Sequence, residues 1–357
     1  MHMKILVATP YYPPHTGGVE THVKNKVDNL RARGFDVWVV TSTRCSTYQN
    51  LITVPCLNIP YSPIPIKFPV IKADIYHSHI PSPFFSKKIS DLNLKPHVVT
   101  YHNDVIIPGR VYGLKFPGLS RKIIEKINEK VTREILDKAD VIISTTRSYS
   151  ITSNILRDYQ NKIEIIPNGI NLEEYNPSGR KERKNIITYV GRLVEYKGLP
   201  LLIRALKLIK KDVKYTLVVI GEGEDKIRLK ALAAKYNINA KFTGWLPPSE
   251  KIYWLRKSKV LVLPSKTRLE AFGIVLLEAM ACQTPVLAYD TPGVSEIAEL
   301  GGFTFRDVNE LAQRIEELLL NDKLVIKLGK RGREKVKEKF SWNKIIERLK
   351  KLYESLV

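Results

Sequence analysis

The sequence predicts an α/β fold made of two parallel-sheet domains. Three observations predict it. Apolar, β-branched runs of strand length alternate with amphipathic helical stretches from end to end. There are eleven such runs, more than one ordinary doubly wound sheet holds. The chain has 357 residues, beyond the size at which a single core keeps growing.

The runs, in order, are KILVAT, DVWVVTS, DIYHSH, HVVTYH, DVIIST and IEIIP in the first half, then NIITYVG, YTLVVIG, AKFTG, VLVLPS and PVLAYD. Such uniformly apolar strands suit a sheet covered by helices on both faces. Each half therefore reads as a Rossmann-like domain: residues 1–170 and 171–340, with the border near Asn171 and the polar NPSGRKERKN at 176–185 as linker. FSW at 340–342 leads into a last amphipathic helix, residues 341–357, that in such folds crosses back onto the first domain. The stretch SRKIIEKINEKVTREILDKAD carries Ile123, Ile127, Val131 and Ile135 at every fourth position, which predicts a core stripe with a charged outer face.

Composition narrows the function. With 44% hydrophobic and 26% charged residues the chain is globular. No apolar run approaches the roughly 20 residues that span a bilayer, and the apolar start is too short for a signal peptide, so a cytoplasmic protein is expected. Cys45, Cys56 and Cys282 are scattered and make no disulfide framework. Lys and Arg number 58 against 36 Asp and Glu, a net charge of +22; residues 1–172 hold 22 basic and 13 acidic side chains, so both halves are basic. A positive body attracts nucleotides, phosphates or an acidic membrane face, although a Lys-rich thermophile surface gives the same count with no partner. Readers of single-stranded nucleic acid interleave basic residues with stacking aromatics. The 17 tyrosines here are dispersed, and nucleic acid is not an expected partner.

Ligands of open α/β sheets bind beyond the carboxyl ends of the strands, so two facing sheets would share one cleft. The motifs fall at those ends. After the first strand comes TPYYPPHTGGVE, where Gly17 and Gly18 let backbone N–H groups approach an anion before a helix beginning near Val19. VGRLVEYKG sets Arg192 and Lys197 on the loop after the first strand of the second half. The planar Arg192 fork can grip phosphate oxygens, and Lys197 adds a mobile charge. KTRLEAFGIVLLEAM puts Glu270 and Glu278 into one of the most apolar parts of the chain, where a charge is costly unless paired. A helix starting near Phe272 would separate the two carboxylates by about 12 Å along its axis, with free amides at its start facing a diphosphate. IGEGEDK, with Gly221 and Gly223, is a G-x-G that could border a nucleotide base.

Taken together, EAFGIVLLE preceded by PSKTR and followed by AMACQTPVLA, with GGVE, VTYHND, IPNGIN, VGRLVEYKG and TPGVSE in the same order, make the chain resemble the retaining family 4 (group 1) glycosyltransferases of GT-B fold over nearly its whole length. Ala271 and Gln283 stand where many members carry Gly. The resemblance implies a nucleoside-diphosphate sugar as donor substrate, with Arg192 and Lys197 on the diphosphate, Glu270 on the hydroxyls of the transferred sugar and Glu278 on the ribose. Phe272, Gly273 and Ile274 complete the donor-binding segment, and Gly17 and Gly18 supply backbone contacts near the phosphates. His102 would sit next to the anomeric carbon with Asp104 beside it, and His77, His79, Asp104 and Arg110 are the acceptor-side candidates.

During transfer the leaving diphosphate gains negative charge, which Arg192, Lys197 and the helix start stabilise electrostatically. No D-x-D metal site is evident, and no metal or other cofactor is required. No carboxylate suits a covalent nucleophile, so same-face attack through an oxocarbenium-like state is the expected retaining route. The acceptor is a hydroxyl of a glycan or lipid-linked molecule. The segment VIIPGRVYGLKFPGLSRK mixes apolar residues with Arg110, Lys115, Arg121 and Lys122, which suits an anionic membrane or a lipid-linked phosphate and a peripheral position on the inner face of the cell membrane. Two alternatives stand beside transfer: a sugar-nucleotide 2-epimerase of the same fold, and a metal hydrolase with zinc on His77, His79, His102 and Asp104.

Overall fold

A computed structural model describes every residue except 1, 2, 16, 45–47, 60, 61, 108, 112, 113, 116, 179–182 and 211; for 110, 111, 114 and 115 it describes the backbone alone. The side chain of Arg110 and residues 179–182 of the 176–185 segment therefore lie outside the described residues. The chain forms two compact units. The first comprises Met1–Ile107, Leu119–Gly169 and Trp342–Val357; the second comprises Pro108–Gly118 and Ile170–Ser341.

The first unit contains a seven-stranded parallel sheet of β1 (Lys4–Ala8), β2 (Asp36–Thr41), β3 (Leu51–Thr53), β4 (Ile75–Ile80), β5 (His97–Tyr101), β6 (Val141–Ser144) and β7 (Ile163–Ile165), in the order β7-β6-β5-β4-β1-β2-β3. The chain starts at β1, runs outward to β3, then returns to lay β4 on the other side of β1. That reversal is a topological switch point, where side chains beyond the strand ends can converge. Every residue of β4 and β5 is buried, as expected of central strands covered on both faces. The Gly18–Arg31 helix buries His22, Val23, Lys26, Val27 and Leu30, a 3.6-residue stripe that places a lysine and a histidine on the core side. The Trp342–Glu354 helix belongs to this unit, with Trp342, Ile345, Ile346, Leu349 and Tyr353 buried in the same core as Ile5, Val7 and Val27.

The second unit contains a six-stranded parallel sheet of β8 (Ile186–Val190), β9 (Thr216–Ile220), β10 (Ala240–Gly244), β11 (Val260–Leu263), β12 (Val286–Tyr289) and β13 (Gly302–Phe305), in the order β10-β9-β8-β11-β12-β13. Its switch point lies between β8 and β11. All eleven expected strands are present. Of the thirteen strands in these two sheets, the two that sequence pattern does not expose, β3 and β13, are both edge strands of three and four residues. An edge strand needs only one paired side and so little of the apolar alternation that marks a strand. Gly302 admits no side chain, because a Cβ there would lie 1.7 Å from the Val286 carbonyl oxygen on β12.

One expectation is corrected on the first unit. The Gly118–Lys138 helix buries Thr132, Ile135 and Leu136, but Ile123 and Ile127 are 51% and 58% exposed, with Leu119 at 75% and Ile124 at 43%. The four-residue spacing is real, yet only the C-terminal half of the stripe meets a core.

Candidate active site

In the second unit the two loops that leave β8 and β11 meet across the switch point. The first carries Gly191–Gly198 and the second Pro264–Gly273. Gly198 has φ +73°, and a Cβ on it would lie 2.0 Å from the Pro264 carbonyl oxygen. Only glycine allows both that backbone geometry and that approach. Lys197, the residue before it, then reaches Glu270: Nζ lies 2.5 Å from Oε2, with the two side chains 19% and 15% exposed. Burial disfavours the Lys197 ammonium, but Glu270 outweighs it and holds the lysine pKa above its ordinary value. The two groups expected at different parts of a ligand are thus paired with each other. Arg192 sits on the same loop, whose path is fixed by Tyr189, its hydroxyl donating to the Arg192 carbonyl at 2.9 Å. Gly221 and Gly223 have a structural reason: Cβ atoms there would meet the carbonyls of Gly191 and Leu193 at 2.0 and 2.3 Å. They let the loop after β9 brace the Arg192 loop.

The helix of the E-x7-E segment is shorter than its sequence suggests. It spans Ile274–Ala281, with Gly273 as N-cap at φ +75° and no side chain capping its amides. A left-handed residue cannot lie inside a right-handed helix, so the start moves past Phe272. Glu270 is therefore outside the helix, and the 12 Å separation derived from helical rise does not apply. Phe272 is buried and Ile274 half-buried at the helix start. Glu278 lies on the helix, with its Oε1 accepting from Lys251 Nζ at 2.7 Å and from Tyr175 Oη at 3.0 Å. Its Oε2 is buried with no hydrogen-bond partner. Neither Lys251 nor Tyr175 was foreseen: they come from the Pro248–Lys257 helix and from near the start of the unit, and nothing in local pattern marks them. Lys251 also packs over the Tyr175 ring at 5.2 Å. Burial, reinforced by Glu278, pushes the Tyr175 hydroxyl far above its usual pKa, so it stays a donor. Ala271 is buried, and Gln283 takes φ +59° just past the helix, the left-handed position where glycine is otherwise favoured.

In the first unit Gly17 is the N-cap of the Gly18–Arg31 helix, with extended backbone and no side-chain cap. His77 and His79 do not line an open surface. They are 0% and 1% exposed, because β4 is a central strand. Their rings stack at 5.0 Å. His77 Nδ1 meets Tyr353 Oη and Nε2 meets Thr100 Oγ1, both at 2.6 Å. His79 Nε2 meets Lys26 Nζ at 2.6 Å, and its Nδ1 meets His102 Nε2 at 2.9 Å. His22 stands edge-on to His102 at 5.6 Å. Burial, then Lys26, lowers the His102 pKa to about 3. Asp104 Oδ1 accepts from Tyr101 Oη at 2.8 Å and Ser153 Oγ at 2.5 Å, while its N–H donates to Tyr149 Oη. It fastens its own loop and is 7% exposed. The zinc arrangement is not formed: both nitrogens of His77 and of His79 are already engaged, and among the described residues no group of three or more His, Cys, Asp or Glu is placed to hold a metal ion.

Known proteins decide the family. The profile of glycosyl transferases group 1 matches residues 172–335, and that of glycosyltransferase family 4 matches residues 16–174. The chain is a group 1, family 4 glycosyltransferase. An uncharacterized glycosyltransferase of Methanocaldococcus jannaschii is 29% identical to it over 99% of each chain. Sucrose-phosphate synthase from Thermosynechococcus elongatus superposes with a TM-score of 0.80 at 22% identity, covering 99% of each chain. HepE from Anabaena, in complex with UDP-glucose, superposes at 0.74 with 17% identity over 99% of this chain and 100% of the other. The fold of this glycosyltransferase is thus GT-B, with the paired Lys197 and Glu270 and the half-satisfied Glu278 at the strand ends of its second sheet.

Proposed function

We propose that this glycosyltransferase moves a hexosyl group from a nucleoside-diphosphate sugar to a hydroxyl of a glycan or lipid-linked acceptor, with retention and without a metal ion. The observation that carries the donor reading is Glu278 Oε2. A buried acceptor without a donor is costly, and here the other oxygen of the same carboxylate is held by two donors, so the free one is oriented and waiting for a ligand hydroxyl. The ribose of a nucleotide supplies such hydroxyls. Glu270, four residues before the helix, takes the sugar hydroxyls and shares Lys197 with the diphosphate. Arg192, Lys197 and the uncapped amides of the Ile274–Ala281 helix neutralise the leaving diphosphate; each such donor is typically worth about 3 to 4 kcal/mol in the transition state, which makes a divalent cation dispensable. His102 is read as a further catalytic residue.

For the acceptor, the exposed Leu119, Ile123, Ile124 and Ile127 stand on a helix that also carries Arg121, Lys122, Lys126 and Lys130. Apolar side chains among cations are what binding at an anionic bilayer surface requires, which favours a lipid-linked acceptor and a peripheral position on the inner face of the cell membrane. Among the described residues no helix is long and apolar enough to cross a membrane. The test is product analysis by proton NMR with a donor panel and chelator present. An α-linked product from an α-linked donor, formed at an undiminished rate in chelator, is expected; an inverted anomer or abolished turnover would refute retention or metal independence respectively.

A further inference from the structure

At the amino ends of β8, β9 and β10 the second unit holds a groove of about 450 Å³ against the Pro248–Lys257 helix. Pockets of roughly 300–1,000 Å³ are the ones that take small ligands. The loops of the candidate active site leave the opposite, carboxyl ends of the sheet. Strand β8 is five residues long, so about 16 Å of sheet separates the two places. No residue of the candidate active site lines the groove.

Three chemical features converge there. Lys184, Lys214 and Lys257 line it, and none of them forms an ion pair among the described residues. Three of the four carbonyls that end the adjacent helix are already taken: Trp254 and Leu255 accept from Ser258 and Thr284, and Lys257 accepts from the Lys184 N–H. The helix end therefore does little to offset the lysines. Tyr253 and Trp254 form an aromatic wall. Tyr253 is 54% exposed, whereas Trp254 is half-buried on Ile186, Val218 and Ile220, and the two rings meet edge to face at 5.4 Å. Lys257 Nζ lies 5.8 Å from the centre of the Tyr253 ring, so charge and ring face stand side by side. Asn185 and Asn239 stand just before β8 and β10. Their amide N–H groups are spent on the Lys214 carbonyl at 3.0 Å and on the Tyr215 carbonyl at 3.3 Å, which leaves Oδ1 of each as an acceptor without a partner among the described residues.

We infer that this groove is a second saccharide site, which takes a sugar ring carrying a carboxylate or a phosphate. Ring hydroxyls donate to the asparagine oxygens, the apolar face of the ring packs on the aromatic wall, and the lysines hold the anion. A neutral sugar would leave the lysines without a counter-charge, and a bare phosphate would leave the wall uncovered. The surface is concave, which suits a ring and not the plane of a bilayer. The anionic ring can belong to a glycan chain or to a free sugar phosphate. The inference goes beyond the donor reading and does not depend on it.

The experiment is proton–nitrogen NMR on the full chain labelled with 15N-tryptophan, at low salt. Each of the four tryptophans gives one indole signal, and Trp254→Phe assigns the one at the groove. The probes are hyaluronan tetrasaccharide for a glycan chain, glucose 6-phosphate for a free sugar phosphate, neutral chitotetraose, inorganic phosphate and UDP. The Trp254 signal is expected to move saturably with one or both anionic sugars. Chitotetraose and inorganic phosphate should bind about tenfold more weakly or worse. Lys184→Ala with Lys214→Ala, and separately Tyr253→Ala, should each weaken binding about fivefold or more with unfolding midpoints unchanged, since all three side chains are exposed. Saturating UDP and the Glu278→Gln substitution should leave this titration as it was, because they act at the other end of the sheet. A Trp254 signal indifferent to every sugar overturns the site. Chitotetraose or inorganic phosphate binding as tightly as the anionic sugars, or UDP displacing them, overturns the assignment to an anionic saccharide. Anionic vesicles captured by the parent and not by the lysine pair would instead make this face a membrane contact. Failure of UDP to bind anywhere would count against the donor reading and leave this one intact.

Discussion

Lys197 and Glu270, 73 residues apart in sequence, form a 2.5 Å ion pair across the switch point of the second sheet. The pair explains how a carboxylate is tolerated in so apolar a stretch, and it ties the cation that would hold a phosphate to the anion that would hold a sugar.

Lys197→Ala and Arg192→Ala should each lower turnover at least about a hundredfold, the scale of a lost transition-state donor. Glu270→Gln should strongly lower both donor hydrolysis and transfer. Because Lys197 and Glu270 touch, their effects should be non-additive: the double variant should be little worse than the poorer single one. Steady-state kinetics of the four proteins check this, and strict additivity would mean the two act separately.

Glu278→Gln keeps the shape but replaces one oxygen by an amide N–H₂. Donor affinity should fall by ten- to a hundredfold, on the order of one to three kcal/mol for a misdirected hydrogen bond. Lys251→Ala should weaken binding as well, by freeing the carboxylate to turn. Calorimetric titration with the donor is the measurement, and unchanged affinity in Glu278→Gln would remove that carboxylate from the site.

Gly198→Ala brings a Cβ against the Pro264 carbonyl in a left-handed backbone. A cost of at least about 2 kcal/mol is expected, with loss of activity because Lys197 is displaced along with its loop. Urea unfolding reads the first and kinetics the second; a stable, active variant would show that the two loops are free to part.

Stability should fall in mild acid. The folded pKa values of His22, His77, His79, His97 and His102 all lie below the ordinary 6.5, with His97 and His102 at about 3, chiefly through burial. Below about pH 6.5 the unfolded chain binds protons that the folded chain refuses, so the stability these neutral rings contribute above that pH is lost progressively toward pH 3. Each contributes a slope of about 1.4 kcal/mol per pH unit in that window. Urea midpoints at pH 7.5 and 5.5 test it; equal midpoints would contradict the buried neutral cluster.

Ile123→Asp with Ile127→Asp should abolish sedimentation with anionic vesicles at low salt while leaving unfolding midpoints unchanged, since both side chains are exposed. Retained sedimentation would point to a different surface.

Most of the strand framework was legible because central parallel strands are covered on both faces and so are mostly apolar, as in β1, β9 and β11. Edge strands β3 and β13 were not visible, although the equally short edge strand β7 was. Of the site, Arg192, Lys197, Glu270 and Glu278 were visible as charges at strand ends. Their partners were not: Lys251 reads as one more surface lysine, and Lys26 as a charge in a helix whose buried face only packing identifies. Ile123 and Ile127 failed the other way, since a periodic apolar stripe does not say what covers it.

The most direct test of the donor site is thermal unfolding of the parent and Glu278→Gln against uridine-, guanosine- and adenosine-diphosphate sugars. One donor at about a hundred times its Kd should stabilise the parent by about 2.7 kcal/mol, with a much smaller shift in the variant. An unchanged melting temperature with every nucleotide sugar, or equal shifts in both proteins, would contradict a pyrophosphate-linked ligand held by these residues.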